Sequence, residues 1–266
     1  AGASGNYLPS GETLFARTSF EALTVALNDS VTVTEDTPLG ITLTSSGPEG
    51  SDPTYSVVSQ PANGTLSGTA PDLTYTPNVD YTGADSFTFT VNDGAVDSPA
   101  ATISITVLTP VEAWRQTNFS DIENSGDAAD LANPDSDALV NLLEFAFGTD
   151  PNVSDANLMS INGSSFTPGM PIVDVSFSPL RVKARFVRRV DHASAGIIYT
   201  AQFIDNLSTG TWQDVDGSTA GIIPQISAFG DYEAVELDYP LFLSNGRKAQ
   251  FFRVKINETG STETQP

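Results

Sequence analysis

The sequence contains no cysteine, so a disulfide framework, thiolate chemistry and cysteine-based metal sites are all excluded. Cations are scarce as well: 11 Lys and Arg stand against 33 Asp and Glu, and the formal net charge is -22. A field of that sign repels nucleic acid and anionic lipid, so neither is expected as a partner. The excess of acid fits a saline exterior or a supply of oxygen ligands for calcium.

Long apolar runs are missing too, and no stretch approaches the roughly 18 residues of a membrane-spanning helix. The opening AGASGNYLPSG also lacks the charged and apolar regions of a signal peptide, so we expect a mature or excised chain without membrane insertion. The single histidine, His192, lies in RRVDHASAG between two predicted strands, where a solvent-facing turn is expected. Because no credible serine-histidine-aspartate set or phosphate-binding glycine loop is present, we predict no catalytic residues and no enzyme.

Short runs of alternating apolar residues fill the segment from Ser30 to Val107. They are Val31 and Val33; Leu39, Ile41 and Leu43; Tyr55 and Val57; Leu73 and Tyr75; Phe87, Phe89 and Val91; and Ile103, Ile105 and Val107. Period-2 alternation gives each strand one apolar face. The turn sequences PANG, PNVDYTG and NDG separate the runs, so a small β-sandwich is predicted.

Four strings within this segment carry a resemblance to a known family. EDTPLGITL, QPANGTLSG, YTPNVDYTGADSFTFTVNDG and ATISITV follow one another along the chain. Together they resemble the bacterial cadherin-like, immunoglobulin-type repeats that occur in tandem in large secreted adhesins and surface fibres. The resemblance covers residues 28–108 and implies an Ig-like spacer or adhesive unit without catalysis.

An apolar, strand-like segment from Leu14 to Leu27 precedes the repeat. The repeat holds its own strand set from Asn28 onward, so this orphan strand needs another sheet to pair with. It could be donated to an exposed edge of another copy, which would build an open fibre. The competing hypothesis is that it folds back and completes one of the chain's own two sandwiches.

The pattern becomes helical after residue 108. VEAWRQTNF, from Val111 to Phe119, predicts one or two helical turns. SDALVNLLEFAFG predicts the main helix, with Ser136 or Asp137 as its cap and Gly148 at its end.

The same region spaces oxygen-bearing residues like an EF-hand calcium loop. Positions 1, 3, 5, 7, 9 and 12 are Asn133, Asp135, Asp137, Leu139, Asn141 and Glu144. Alternate residues of a tight turn converge on one point, and Glu144 can close the shell with two oxygens. Calcium is therefore the predicted cofactor, and Asp127 and Asp130 lie close enough in sequence to substitute as ligands.

The loop also resembles a segment common in the C-terminal regions of bacterial secreted surface proteins. There, an Asp-x-Asp-x-Asp-Gly loop leads into Asn-Leu-Leu-Glu-Tyr and a Gly-x-Asp-Pro ending, and this chain retains NLLEFAFGTDP. Two positions depart from the pattern: Asn133 replaces Asp at position 1, and Ala138 replaces the Gly of position 6. The alternative hypothesis is that the acids only cap a helix, whose N-terminus attracts negative charge.

Alternation returns between Leu158 and Ile256 and predicts a second sandwich of about 100 residues. Its runs are Ile172 to Phe177, Val182 to Phe186, Ile197 to Phe203, Val235 to Tyr239, and Phe252, Val254 and Ile256. Five cations crowd into it, namely Arg181, Lys183, Arg185, Arg188 and Arg189. They are expected to pair with Glu236 and Asp238 on a neighbouring strand, or else to dock an acidic surface of another copy.

The predicted fold class is all-β: two immunoglobulin-like β-sandwiches joined by a short helical, EF-hand-like connector. Its parts are a linker and orphan strand (1–27), the repeat (28–108), the connector (109–157), the second sandwich (158–257) and a polar tail (258–266). The predicted function is that of an extracellular structural or adhesive protein of a bacterial surface, self-assembling through other copies of itself. The alternative is a non-catalytic, carbohydrate-binding accessory region of a secreted hydrolase, with Trp212 or Tyr232 stacking on surface glycans.

Overall fold

The computed structural model describes residues 23–48, 52–94, 96–177, 180–215, 221–222, 228, 230–240 and 242–258. These residues form mostly β-strands, together with two short α-helices. Contacts divide the chain into two units. The first holds the described residues of 1–31, 38–77 and 84–105, and the second holds those of 32–37, 78–83 and 106–266.

In the described part of the chain, nine strands precede the first helix. They are β1 (Val25–Ala26), β2 (Asp29–Thr34), β3 (Leu39–Thr42), β4 (Ser45–Ser46), β5 (Thr54–Ser59), β6 (Gly64–Thr69), β7 (Asp72–Pro77), β8 (Gly83–Asn92) and β9 (Ala101–Leu108). Their sheets have the orders β2-β9-β8-β5, β3-β7-β6 and β1-β4. The predicted apolar faces are confirmed, since alternate residues of β8 and β9 are buried.

The end of the predicted orphan segment pairs within its own chain. Val25 and Ala26 of β1 lie antiparallel to Ser46 and Ser45 of β4. The Leu27 N–H donates to the Thr44 carbonyl at 3.1 Å. The strand set therefore begins before Asn28, while residues 14–22 of that segment lie outside the described residues.

Helix α1 (Pro110–Phe119) follows β9 and begins with a capping box. The Thr109 hydroxyl accepts from the Glu112 N–H, and the Glu112 carboxylate accepts from the Thr109 N–H. These bonds satisfy N–H groups that lack partners within the helix. The predicted helical segment is thus confirmed, but at 10 residues it is longer than the one or two turns expected.

The helix predicted within SDALVNLLEFAFG is present as α2 (Asn141–Phe147), but its predicted start near Ser136 is wrong, and it is shorter than α1 rather than the main helix. Val140 precedes it with no side-chain cap, so neither Ser136 nor Asp137 caps it. Ser136 has φ 59° in a loop that prevents an earlier start. The predicted end is confirmed, because Gly148 terminates α2 in the left-handed conformation with φ 76°.

Nine further strands follow. They are β10 (Ser160–Asn162), β11 (Ser165–Thr167), β12 (Ile172–Phe177), β13 (Leu180–Arg189), β14 (Ile197–Ile204), β15 (Gln213–Val215), β16 (Gly221–Ile222), β17 (Tyr232–Asp238) and β18 (Phe251–Glu258). Their sheets have the orders β12-β13-β17-β16, β15-β14-β18 and β10-β11. One core joins the two larger sheets, since Phe186 of β13, Phe203 of β14 and Leu237 of β17 belong to the same buried cluster.

Helix α2 is anchored to this strand region at both its side and its end. Phe145 and Phe147 share a buried cluster with Ile197 of β14. The hydroxyl of Tyr199 donates to the Ala146 carbonyl at 2.7 Å, and that of Tyr232 donates to the Phe145 carbonyl at 2.9 Å. Carbonyls that lack partners at the helix end are thereby satisfied, which fixes the side chains of α2 in place.

The cations of β13 pair locally, as the first hypothesis expected. The register sets Lys183 opposite Asp238 and Arg185 opposite Glu236. Lys183 contacts Asp238 at 2.8 Å, and Arg185 contacts Glu236 at 3.0 Å. Arg188 and Arg189 also have acidic partners, Glu233 and Asp191, while the side chain of Arg181 lies outside the described part.

Candidate metal centre

Three carboxylates lie close together where the loop that precedes helix α2 meets that helix. Each of three residues contributes one carboxylate oxygen, and these oxygens all lie within 4.8 Å of one another; the residues are Asp135, Asp137 and Glu144. Asp135 and Asp137 come from the acidic loop (residues 133–140), and Glu144 comes from the middle of α2. We call these three residues the acidic triad.

The acidic loop is shaped by its own side chains. The Asn133 side chain accepts from the Asp137 N–H at 3.1 Å and donates to the Asp137 carbonyl at 2.9 Å. Asp135 accepts from the same N–H at 3.2 Å, and Asp137 accepts from the Leu139 N–H at 2.6 Å. Short polar side chains close tight turns in this way, which turns the two aspartates toward α2 without a glycine at Ala138.

The hydrogen bonds at the start of α2 argue against the hypothesis that the acids of the loop only cap this helix. The first N–H groups of α2 are satisfied by backbone carbonyls: Asn141 N–H donates to Ala132 at 3.0 Å, and Leu142 N–H donates to Asp130 at 3.0 Å. The carboxylates of the loop are therefore not needed by the helix backbone. Their convergence on Glu144 requires another explanation.

Glu144 is the most unusual acid of the group. Its side chain is fully buried, yet neither carboxylate oxygen has a hydrogen-bond partner among the described residues. Burial, together with the negative charges of Asp135, Asp137 and Asp155, raises the pKa of Glu144 to about 8. An isolated buried carboxylate is strongly disfavoured, so it must take up a proton or meet a cation.

The remaining predicted ligands have different surroundings. Asn133 closes the acidic loop, and the side chain of Leu139 is buried. Asn141 donates to the carbonyls of Asp127 and Ala129, at 2.7 and 2.9 Å, which holds the preceding turn against α2. Its side-chain oxygen is buried without a partner, so Asn141 still offers one neutral ligand atom.

The two acids named as substitutes do not join the triad. Asp130 is paired with Arg115 and also accepts from the Asn124 side chain at 2.6 Å. Asp127 is exposed, and neither acid is among the groups that shift the pKa of Glu144. Another acid, Asp155, does contact the triad: its N–H donates to Asp137 at 3.3 Å, and its Oδ1 is buried without a partner among the residues that the structure describes. Asp155 could not be predicted from the motif, because it lies beyond the 12 residues of an EF-hand loop.

The donor set suits a hard divalent cation. Its atoms are carboxylate and amide oxygens, the ligands that calcium takes in groups of six to eight. Five of these oxygens are buried without a hydrogen-bond partner in the described part of the chain: Oδ2 of Asp135, Oδ1 of Asn141, both oxygens of Glu144 and Oδ1 of Asp155. A bound calcium ion would supply the positive charge that the described surroundings of Glu144 lack.

Side chains considered for other functions are engaged inside the fold. His192 lies in the predicted turn, half-buried, with its ring edge-on to Tyr199. The Tyr232 hydroxyl is bound to the end of α2, and the Arg253 guanidinium lies 4.3 Å from the centre of the Trp212 ring. Trp114 packs against Phe145. The Arg253 guanidinium thus covers one face of the Trp212 ring, and the Tyr232 hydroxyl is engaged by the Phe145 carbonyl.

Comparison with known proteins identifies one part of the chain. Residues 22–106 match the family described as Bacterial Ig domain. No curated protein matches the chain. The match includes β1, in agreement with its pairing to β4. None of the helices among the described residues is long and apolar enough to cross a membrane.

Several solved structures show distant similarity. The endo-fucoidan hydrolase MfFcnA4 of glycoside hydrolase family 107 is 15% identical over 94% of this chain and 30% of its own, with a TM-score of 0.29. A variant of that hydrolase is 24% identical over 36% of this chain and 15% of its own, with a TM-score of 0.28. Extracellular cadherin domains 3–6 of protocadherin gamma B2 are 11% identical over 90% of this chain and 47% of theirs, with a TM-score of 0.27.

The chain thus spans less than half of each of these three structures, and none reaches a TM-score from which a shared fold follows. The family match stands on its own: residues 22–106 are similar to a bacterial Ig domain.

Proposed function

We propose that this chain is a non-catalytic, extracellular module of a bacterial surface, built from two Ig-like β-sandwiches and a connector that binds calcium. The main support for the calcium site is the buried carboxylate of Glu144, which lies beside Asp135 and Asp137. This carboxylate has no hydrogen-bond partner among the described residues. The Ig domain match over residues 22–106 and the net charge of -22 support the extracellular role.

The proposed ion acts on stability rather than on chemistry. Without it, folding brings three carboxylates together and removes one of them from water, which is costly. With it, the carboxylates of the loop and the helix share one divalent cation, which binds the folded state and not the unfolded chain and so stabilises the fold. In this proposal, bound calcium makes the EF-hand-like connector hold α2 in place, and α2 in turn packs on β14.

The surface role includes self-assembly through the N-terminal segment. Because β1 is already paired with β4, the donated strand in this proposal is confined to residues before β1. The accessory-region alternative is less well supported, since Trp212 and Tyr232 are both engaged within the chain.

Thermal unfolding in calcium, in magnesium and in chelator tests the calcium site. We expect calcium to raise the melting temperature above the chelator value, and magnesium to do so less, because it dehydrates reluctantly and demands octahedral geometry. Glu144→Ala should remove the calcium effect. Equal melting temperatures in calcium and chelator would refute the proposal.

Sedimentation of the full chain and of a chain lacking residues 1–22 tests self-assembly. A fibre former should assemble when whole, and should become a folded monomer when the segment is removed while β1 remains. Unchanged assembly after the deletion would exclude the donated strand. A monomeric full chain that binds an immobilised glycan would favour the accessory role instead.

A further inference from the structure

We propose that Asp155 is a further ligand of the calcium site, so that the ion joins the loops on both sides of α2. This inference rests on the proposed calcium site and extends it to the post-helix loop, residues 148–157. The site is then not a single 12-residue EF-hand loop, because one ligand follows Glu144 by eleven positions.

The backbone already brings the two loops together. The Asp155 N–H donates to Oδ2 of Asp137 at 3.3 Å, so the post-helix loop contacts a member of the acidic triad. On the side chain, Oδ2 accepts from the Asp150 N–H at 3.4 Å, whereas Oδ1 is buried and has no partner among the described residues. One oxygen therefore positions the carboxylate, and the other is available to a cation.

The surrounding charges point to the same role. Asp137, Asp150 and Asp135 place negative charges around the Asp155 carboxylate, which in turn adds to the negative charge around Glu144. A carboxylate that repels its neighbours in the metal-free protein becomes favourable once a divalent cation lies among them.

Asp155 lies outside the triad whose atoms are mutually within 4.8 Å. Calcium ligands on opposite sides of a shell stand about 4.8 Å apart, twice the usual calcium–oxygen distance. Asp155 therefore has to come closer to the triad to share an ion with it, so we expect ion binding to draw the post-helix loop inward.

The test is calorimetric titration of calcium chloride into the chelator-treated full chain, paired with thermal unfolding in chelator. Asp155→Asn keeps the backbone bond to Asp137 and removes the negative charge. We expect its calcium affinity to fall about tenfold or more, as losing a charged ligand does. Its melting temperature in chelator should be equal to or above that of the wild type, because a repulsion is removed.

Asp150→Asn is the matched control. Asp150 is exposed, and its Oδ1 already accepts from the Asn152 N–H at 2.9 Å, so its loss should weaken calcium binding by about threefold at most. If Asp155→Asn binds calcium as well as Asp150→Asn does, the inference is wrong while the calcium site stands. If Asp155→Asn instead melts lower in chelator, Asp155 is a structural residue and the inference is wrong as well. A wild type that binds no calcium would refute the proposed site itself.

Discussion

Two buried acids, Asp85 and Glu144, show how the hydrogen-bond donors around a carboxylate determine its role. Asp85 accepts from the N–H groups of Ala62 and Asn63 at 2.9 and 3.0 Å, and from the Tyr75 hydroxyl at 2.9 Å. Burial alone would raise the pKa of Asp85, but a hydrogen bond from the Ser86 N–H at 2.8 Å, together with those from Tyr75, Ala62 and Asn63, outweighs it and holds the pKa below its ordinary value. Glu144 is more deeply buried and has no such donors among the described residues, and its pKa is raised instead. Asp85 is therefore structural, whereas Glu144 is a candidate ligand.

Asp85→Asn should destabilise the protein at neutral pH, by about 1–3 kcal/mol, because an amide cannot accept from all these donors. The folded pKa of Asp85 is depressed, so its contribution is present above the ordinary value of 3.8 and is lost as pH falls through the folded pKa. Urea unfolding at neutral and acid pH checks both points. Asp52→Asn, at an exposed residue, is the control. If Asp85→Asn is less stable than the wild type by as much at pH 2 as at neutral pH, in free energy of unfolding, this account is contradicted.

At the scale of elements, apolar alternation predicted most long strands, including β8, β9, β13, β14, β17 and β18. It missed β6, whose sequence GTLSGT holds a single large apolar residue, and the short β10, β11, β15 and β16. Those strands depend on pairing with neighbours rather than on their own pattern. The cation pairs of β13 were predictable because alternate residues share a face, and the register with β17 confirms them.

The connector shows where sequence reasoning fails. Polar residues before an apolar helical run look like a cap, so the helix was predicted to start at Ser136 rather than at Asn141. The same residues bond their own loop, as Asp137 does with the Leu139 N–H. Asp155 could not be predicted, because its approach to Asp137 depends on the path of the chain after α2.

The end of α2 allows a paired test of backbone strain and crowding. Gly148 and Gly246 both have φ 76°, but a Cβ at Gly148 would lie 3.1 Å from atoms of Pro168 and Tyr232, while one at Gly246 would meet nothing within 4 Å. Gly246→Ala should cost about 1 kcal/mol through strain alone. Gly148→Ala should cost more, about 2–3 kcal/mol, and urea unfolding of both variants measures the difference. Equal costs would mean that the contact with Tyr232 does not restrain α2.

For the whole molecule, the pKa of Glu144 links stability to pH and to calcium. The folded pKa of about 8 lies above the ordinary value of 4.5, so the metal-free fold is favoured while Glu144 keeps its proton. This contribution is full below about pH 4.5 and is lost as pH rises to about 8. Calcium replaces the proton, so the rise in melting temperature on adding calcium should grow between pH 5 and pH 8.

Glu144→Gln is the control for that titration. An amide has no proton to lose in this range, so the metal-free variant should show a flatter dependence of melting temperature on pH. Its melting temperature in chelator at pH 8 should exceed that of the wild type, because a buried charge is absent. A variant that is less stable than the wild type in chelator at pH 8 would mean that Glu144 already has its counter-charge within the chain.

Equilibrium dialysis of the full chain against radioactive calcium at pH 7 tests the central claim most directly, because it counts bound ions. The account predicts one ion per wild-type chain, with a Kd of about 1 mM or tighter, as in extracellular modules. Glu144→Gln should bind at least about tenfold more weakly, since one charged ligand is gone. A wild type that binds no calcium, or a Glu144→Gln variant that binds as tightly as the wild type, would contradict the account.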